Sequence, residues 1–182
     1  MPLPKKIVAI GPESTGKSTL CEQLAGKFDT DWVPEYAREY LLALGRPYHY
    51  EDLLKIAIGQ LEQEDRITAS AKASVIFVDT DMYVMKVWCE FVFGKCHPFI
   101  LDEIVKRKYD AYLLCKTDLP WVADELREYP DPVSRERLYH MYKDLMVNQQ
   151  TPWYEIHGNY EERLQLSIVN CQLIIDNEDF CM

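Results

Sequence analysis

Gly11-Pro12-Glu13-Ser14-Thr15-Gly16-Lys17-Ser18 is the stretch that decides the fold. It has the form G-x-x-x-x-G-K-[ST]. The apolar run Ile7-Val8-Ala9-Ile10 precedes it, and a helical pattern from Thr15 to Phe28 follows. Gly11 and Gly16 admit backbone angles that other residues resist, so the loop can curl around a phosphate. The curled loop aims its N–H groups inward, and the helix behind it adds a positive N-terminal end. Lys17 reaches the β/γ oxygens of a bound triphosphate, and the Ser18 hydroxyl takes a place on Mg²⁺. The pattern therefore predicts a nucleotide site built from Gly11, Glu13, Ser14, Thr15, Gly16, Lys17, Ser18 and Thr19. It does not separate ATP from GTP, nor a kinase from a hydrolase.

Working outward, short β-rich runs alternate with longer helical stretches. Strands are expected at Lys6–Ile10, within Asp31–Glu35, and at Val75–Asp79, Ala111–Cys115 and Trp153–His157. Leu173–Asp176 is a candidate last strand. Helical patterns cover Ala37–Leu44, Glu51–Ala73, Asp81–Phe93, Phe99–Lys108, Arg135–Met146 and Tyr160–Asn170. In the long one, Leu54, Ala57, Ile58 and Leu61 share a face. Strands separated by helices predict an α/β fold with a parallel sheet covered on both faces.

The chain has 182 residues, a prior for one domain spanning 1–182. Residues of the set AVILMFWYC make up 48% and charged residues 27%, which excludes collagen-like and wholly disordered classes. Twenty Lys and Arg against thirty Asp and Glu give a net charge of −10. That argues against nucleic acid as a partner, because such binding draws on surplus Lys and Arg. No apolar run reaches the length of a membrane span and no signal peptide opens the chain, so a cytoplasmic location is expected, with no membrane partner. The six cysteines form no C-x-x-C pair, and most are expected to be small core residues with reduced thiols.

Two acidic strand ends carry the next chemistry. Asp79 closes Val75-Ile76-Phe77-Val78, the Walker B form, and is expected to link to Mg²⁺. Asp81 lies two residues on and either caps the following helix or touches substrate. After the second strand comes Pro34-Glu35-Tyr36-Ala37-Arg38. Glu35 and Arg38 could form a surface ion pair. Beside the phosphate loop they gain another use: Glu35 could accept a proton from an attacking hydroxyl, and Arg38 could hold charge on the transferred phosphoryl group. Segment 117–137, rich in charge and proline, is a candidate helical lid. Arg127 is its preferred arginine, with Arg135 and Arg137 behind it; a solvated charged helix is the plainer alternative. Tyr48, His49 and Tyr50 read as loop packing or a binding face. The run Glu62–Asp65 reads as a solvated helix end.

Taken in order, GPESTGKST (11–19), EYARE (35–39), FVDTD (77–81), GKCHPF (94–99), PWVADELR (120–127) and the segment Tyr160–Arg163 resemble the ribosylnicotinamide kinase domain of the NadR proteins, within a wider P-loop ATPase/kinase group. The resemblance implies a three-layer kinase-like fold with a five-stranded parallel core. It implies ATP and Mg²⁺ as cofactors, and phosphoryl transfer to the 5′-hydroxyl of a nucleoside-like acceptor such as nicotinamide riboside. The adenylyltransferase domain of full-length members needs an H-x-G-H motif. None occurs around His49, His97, His140 or His157, so a stand-alone kinase-like domain is expected. Near the acceptor the sequence departs from the family pattern. Pro34 stands where an aromatic residue precedes the glutamate, with Trp32 two residues earlier. A second family aromatic falls near Arg66, and a cationic ring avoids an arginine. These departures predict weaker nicotinamide riboside binding. The alternative function is a regulatory ATP/GTP switch that hydrolyses slowly and has no acceptor. Oligomeric state is not legible.

Overall fold

Alternate residues of the strands face opposite sides of one sheet, and each side collects its own core. The computed structural model describes residues 3–176. Its strands are β1 (Lys5–Ile10), β2 (Trp32–Val33), β3 (Val75–Asp79), β4 (Ala111–Cys115) and β5 (Trp153–Ile156). Its helices are α1 (Lys17–Phe28), α2 (Tyr36–Leu44), α3 (Tyr50–Ser70), α4 (Met82–Phe93), α5 (Pro98–Lys106), α6 (Pro132–Val147) and α7 (Tyr160–Asp176). The strands pair in the order β2-β3-β1-β4-β5, all parallel.

Ile7, Ala9, Phe77, Leu113 and Cys115 point to one face and pack against Leu20 and Leu24 of α1 and Cys171 of α7. Val8, Ile10, Ile76, Val78 and Leu114 point to the other, against Val84 and Val87 of α4 and Leu138, Tyr142 and Met146 of α6. A third cluster joins α2, α3, α4 and α5 through Ala37, Ile56, Leu61, Met85 and Ile100. It builds a helical wall beyond β2, beside the end of β3. β3 and β4 are buried along their whole length, as their unbroken apolar sequences require. Cys21, Cys89, Cys115 and Cys171 are buried free thiols and Cys96 is half-buried; Cys181 lies outside the described residues.

Several expectations are corrected. Leu173–Asp176 is the last turn of α7, not a strand; its β-prone residues sit at helical spacing against the α1 face. Segment 116–131 contains turns but no helix, and α6 starts at Pro132, capped by Asp131. Pro120 and Pro130 deny a helix there. The buried face of α3 is rotated from the apolar stripe: Ile58 is exposed, while Gln60 and Glu64 are buried. Glu64 accepts from Lys6 Nζ at 2.8 Å and from the Tyr109 hydroxyl at 2.9 Å. Arg107 grips Asp65 through two bonds of 2.6 and 2.8 Å. Glu64 is thus a buried, partnered anchor at the start of the sheet, while Glu62 and Asp65 stay at the surface as expected. Hydrophobic periodicity cannot register a face held by polar pairs.

No helix among the described residues is long and apolar enough to cross a membrane.

Candidate active site

The loop between β1 and α1 adopts the conformation its glycines allow. Gly11 has φ 137°, and a Cβ there would lie 2.6 Å from the Cys115 carbonyl oxygen. Only glycine lets the chain pass so close to β4. Gly16 has φ 80° and opens α1. Thr15 turns its hydroxyl back to the Pro12 carbonyl at 2.7 Å, and Lys17 Nζ donates to the same oxygen at 2.9 Å. Two arginines brace the loop from behind. Arg163 donates to the Thr15 carbonyl at 2.8 Å, to Lys116 and Gly158 carbonyls, and to the Asp118 carboxylate. Arg135, also buried, reaches the Leu119 and Ser14 carbonyls at 3.2 and 3.4 Å. Arg135 was expected at the nucleotide itself; its place in the first turn of α6 makes it a prop of the loop backbone instead.

Ser18 and Asp79 meet. The Ser18 hydroxyl donates to Asp79 Oδ2 at 2.5 Å, while Oδ1 is buried without a hydrogen-bond partner among the described residues. Burial first, and the Glu35 charge second, push the Asp79 carboxyl up to about 7. A buried carboxylate with one free oxygen beside a hydroxyl suits a hard divalent cation, which would offset the cost of that charge. Among the described residues no cluster of three or more His, Cys, Asp or Glu could hold a metal alone. A Mg²⁺ ion would therefore take Ser18, with Asp79 beside it, and fill its remaining positions from phosphate and water.

Asp81 sits elsewhere. Its Oδ1 accepts from the backbone N–H groups of Tyr83 and Val84, capping α4, and its Oδ2 accepts from the Tyr112 hydroxyl at 3.0 Å. It is buried and does not line the cavity beside the loop. Burial pushes its pKa up to about 7 against the pull of the Tyr112 bond. The catalytic expectation for Asp81 is corrected to a helix cap: two residues past the strand end, the side chain points back under α4.

Glu35 faces the same cavity as Lys17 and Asp79. Its carboxylate makes no hydrogen bond or ion pair among the described residues. Gln60, buried in α3, holds it there. Gln60 accepts from the Tyr36 N–H at 2.8 Å and donates weakly to the Pro34 and Asp79 carbonyls, both at 3.4 Å. Arg38 does not pair with Glu35. It donates to Asp124 Oδ2 at 3.1 Å, and Arg127 Nε reaches the same oxygen at 3.2 Å. One carboxylate thus joins the arginine of α2 to the arginine of segment 116–131.

That segment crosses the cavity as a strap. At one side Glu13 accepts from the N–H groups of Tyr129 at 2.5 Å and Glu128 at 3.1 Å. Ser14 Oγ accepts from the Val122 N–H at 2.9 Å. At the other side the Tyr48 hydroxyl donates to Glu128 at 2.8 Å and accepts from Trp88 Nε1 at 3.1 Å. The Glu13 side chain, expected at the nucleotide, therefore serves the strap. Tyr48 belongs to the cavity wall, while Tyr50 stacks on His97 at 3.7 Å as loop packing.

The cavity, a cleft open on one side, measures about 330 Å³, in the range of small-molecule sites. Gly11 to Thr19 form its phosphate side. Trp32, Pro34, Trp88, Phe91 and Tyr142 also line it, together with Glu35. Arg66 is exposed on α3 and does not line it. Aromatic residues that do line it come from α4, Trp88 and Phe91, and from α6, Tyr142, as well as from Trp32. Sequence reading missed Trp88, Phe91 and Tyr142 because each sits in an apolar helical face that reads as core. Asp124 lay inside the quoted PWVADELR stretch but carried no separate signal.

A phosphate loop on β1, an acidic end on β3 and a strap after β4, over a parallel sheet ordered 2-3-1-4-5, define a P-loop protein of the kinase-like α/β class. The chain matches the AAA domain family over residues 6–163 and belongs to it. It is 33% identical over 164 residues to the trifunctional NAD biosynthesis/regulator protein NadR of Salmonella typhimurium, a match covering 87% of this chain and 40% of that protein. The chain thus spans about two fifths of the length of that curated relative. Crystal structures of NadR in complex with NR, and with NAD and AMP-PNP, superpose with TM-scores of 0.78 and 0.74. Each is 21% identical, over 95% of this chain and 50% of the other. A thymidylate kinase from Ehrlichia chaffeensis shares the fold at TM-score 0.65 and 13% identity, over 93% of this chain and 99% of its own.

Proposed function

We propose that this protein is a small-molecule kinase. It transfers the γ-phosphoryl group of ATP to the hydroxyl of a nucleoside-like acceptor, and nicotinamide riboside is the leading candidate. The observation that carries this reading is the shared cavity. An unpaired carboxylate, Glu35, and an aromatic-lined space adjoin the phosphate loop under one strap. A hydrolytic switch has no use for such a space, whereas an acceptor needs it. The NadR complexes with NR and with AMP-PNP support the choice of ligands.

In this reading Gly11 to Thr19 wrap the phosphates, and Lys17 leaves the Pro12 carbonyl for the β/γ oxygens. Mg²⁺, when bound at Ser18 and Asp79, supplies neutralisation of phosphate charge. Glu35 accepts the proton of the attacking hydroxyl. Arg38 and Arg127, paired through Asp124, stand at the cavity mouth to meet charge on the transferring group. The aromatic rings stack the acceptor's base, and a cationic pyridinium gains most from them. The strap, residues 121–129, acts as the lid and keeps water from competing with the acceptor. The test is a panel of nucleosides and sugars incubated with ATP and Mg²⁺ and read by mass spectrometry. A phosphorylated nucleoside is the expected product; no phosphorylated product from any acceptor would reject the proposal.

A further inference from the structure

Three tyrosines are buried to within a few per cent, Tyr112, Tyr139 and Tyr142. Two of them give their hydroxyl to a carboxylate, Tyr112 to Asp81 and Tyr139 to Glu155. Tyr142 differs. It is 4% exposed, it lines the cavity, and its hydroxyl makes no hydrogen bond among the described residues. A phenol where phenylalanine would pack as well calls for an explanation, and this hydroxyl is not among the fully enclosed polar atoms without a partner in the described residues, so it keeps access to the cavity space. Packing alone does not give one, because the ring is already satisfied by Val84, Val87 and Leu138 around it.

Position does give one. Tyr142 lies on α6 in the cluster shared with α4, and it lines the same cavity as the phosphate loop and the other aromatic residues. Glu35 and Glu13, which line the same cavity, both bear on it, as does the buried Asp81. Burial and these charges hold its pKa well above the ordinary phenol value, so it remains a donor at any physiological pH. A neutral donor facing a ligand space needs an acceptor atom on the ligand.

We infer that Tyr142 is a substrate-contacting residue whose hydroxyl donates a hydrogen bond to an oxygen of the bound acceptor. This rests on the kinase reading above. It makes Tyr142 a specificity determinant: a site built to hydrogen-bond an oxygen discriminates against ligands that lack it. It also sets the acceptor class as one that presents an oxygen to the cavity as well as a stacking ring and the reacting hydroxyl.

The test compares wild type, Tyr142→Phe and Tyr139→Phe with nicotinamide riboside, adenosine and their 2′- and 3′-deoxy forms. Tyr142→Phe should raise the acceptor KM about three- to thirtyfold, with the ATP KM and the melting temperature unchanged. Tyr139→Phe, which loses its bond to Glu155, should lower the melting temperature and leave the acceptor KM alone. The deoxy acceptor that wild type and Tyr142→Phe use equally identifies the oxygen contacted. An unchanged acceptor KM in a Tyr142→Phe protein, with wild type active, overturns the inference and leaves the kinase reading standing. A wild type that phosphorylates neither these acceptors nor any member of the wider panel of nucleosides and sugars overturns both.

Discussion

Ser18 and Asp79 share a hydrogen bond of 2.5 Å that ties the first turn of α1 to the end of β3. The two residues lie 61 positions apart in the chain, yet the parallel pairing of β1 with β3 puts their elements side by side. The turn at Thr80, whose φ is 79°, breaks the strand and separates the carboxylates of Asp79 and Asp81, one into the cavity and one beneath α4. Their variants should therefore behave differently. Asp79→Ala should weaken Mg²⁺-dependent nucleotide binding about ten- to a hundredfold with little loss of folding. Asp81→Ala should cost about 2 to 4 kcal/mol of stability, through a lost cap and an orphaned Tyr112 hydroxyl, while the folded protein keeps its turnover. Calorimetry of magnesium-ATP binding alongside chemical denaturation checks both. Equal loss of nucleotide affinity in the two variants would return Asp81 to the site.

Lys17 is bonded to the Pro12 carbonyl and must exchange that partner for phosphate. Lys17→Ala should lower ATP affinity about ten- to a hundredfold, the scale of a lost charge-assisted hydrogen bond. Secondary structure by circular dichroism should be unchanged. Wild-type affinity in the variant would remove the phosphate-loop assignment.

Arg127 is held at three points, the Val122 carbonyl at 2.6 Å, Ser14 Oγ at 3.3 Å and Asp124. Contact with charge that develops late in the reaction shows in turnover rather than in ground-state binding. Arg127→Ala should reduce kcat about a hundredfold and change the ATP Kd less than threefold. Steady-state kinetics with equilibrium titration separates the two. An unchanged kcat would make Arg127 a strap residue only.

The placement of Glu35 depends on a glycine that sequence reading passed over. A Cβ on Gly59 would lie 2.1 Å from Tyr36 Cε1, so the Tyr36 ring occupies the space of the missing side chain. Alanine normally favours a helix interior by about 1 kcal/mol over glycine. Gly59→Ala should instead push Tyr36, and with it Glu35, out of position. Helical content should hold while kcat/KM falls about tenfold or more. A fully active Gly59→Ala would show that the Glu35 position is not critical.

Much of this site was legible because backbone chemistry fixes it. A loop that must curl needs Gly11 and Gly16, and a buried strand that must end in a carboxylate reads as VIFVD. The parallel sheet was legible in the alternation of strand and helix, but its strand order was not. What sequence hid were faces held by polar pairs, and rings that serve core and cavity at once. Glu64 looked solvated because no pattern records Lys6, Arg107 and Tyr109 arriving from other elements. Trp88, Phe91 and Tyr142 looked like core because they are core on one side. Arg66 looked obstructive because it was placed by resemblance to a family position, whereas the fold turns it outward on α3.

The central claim, transfer to an acceptor rather than to water, is tested most directly by following the γ-phosphorus of ATP by ³¹P NMR in the presence of Mg²⁺, with and without nicotinamide riboside. The expected result is a phosphomonoester signal that grows only when the acceptor is present and is absent with Lys17→Ala. Release of inorganic phosphate alone, at a rate the acceptor does not change, would contradict the account and identify a nucleotide-hydrolysing switch.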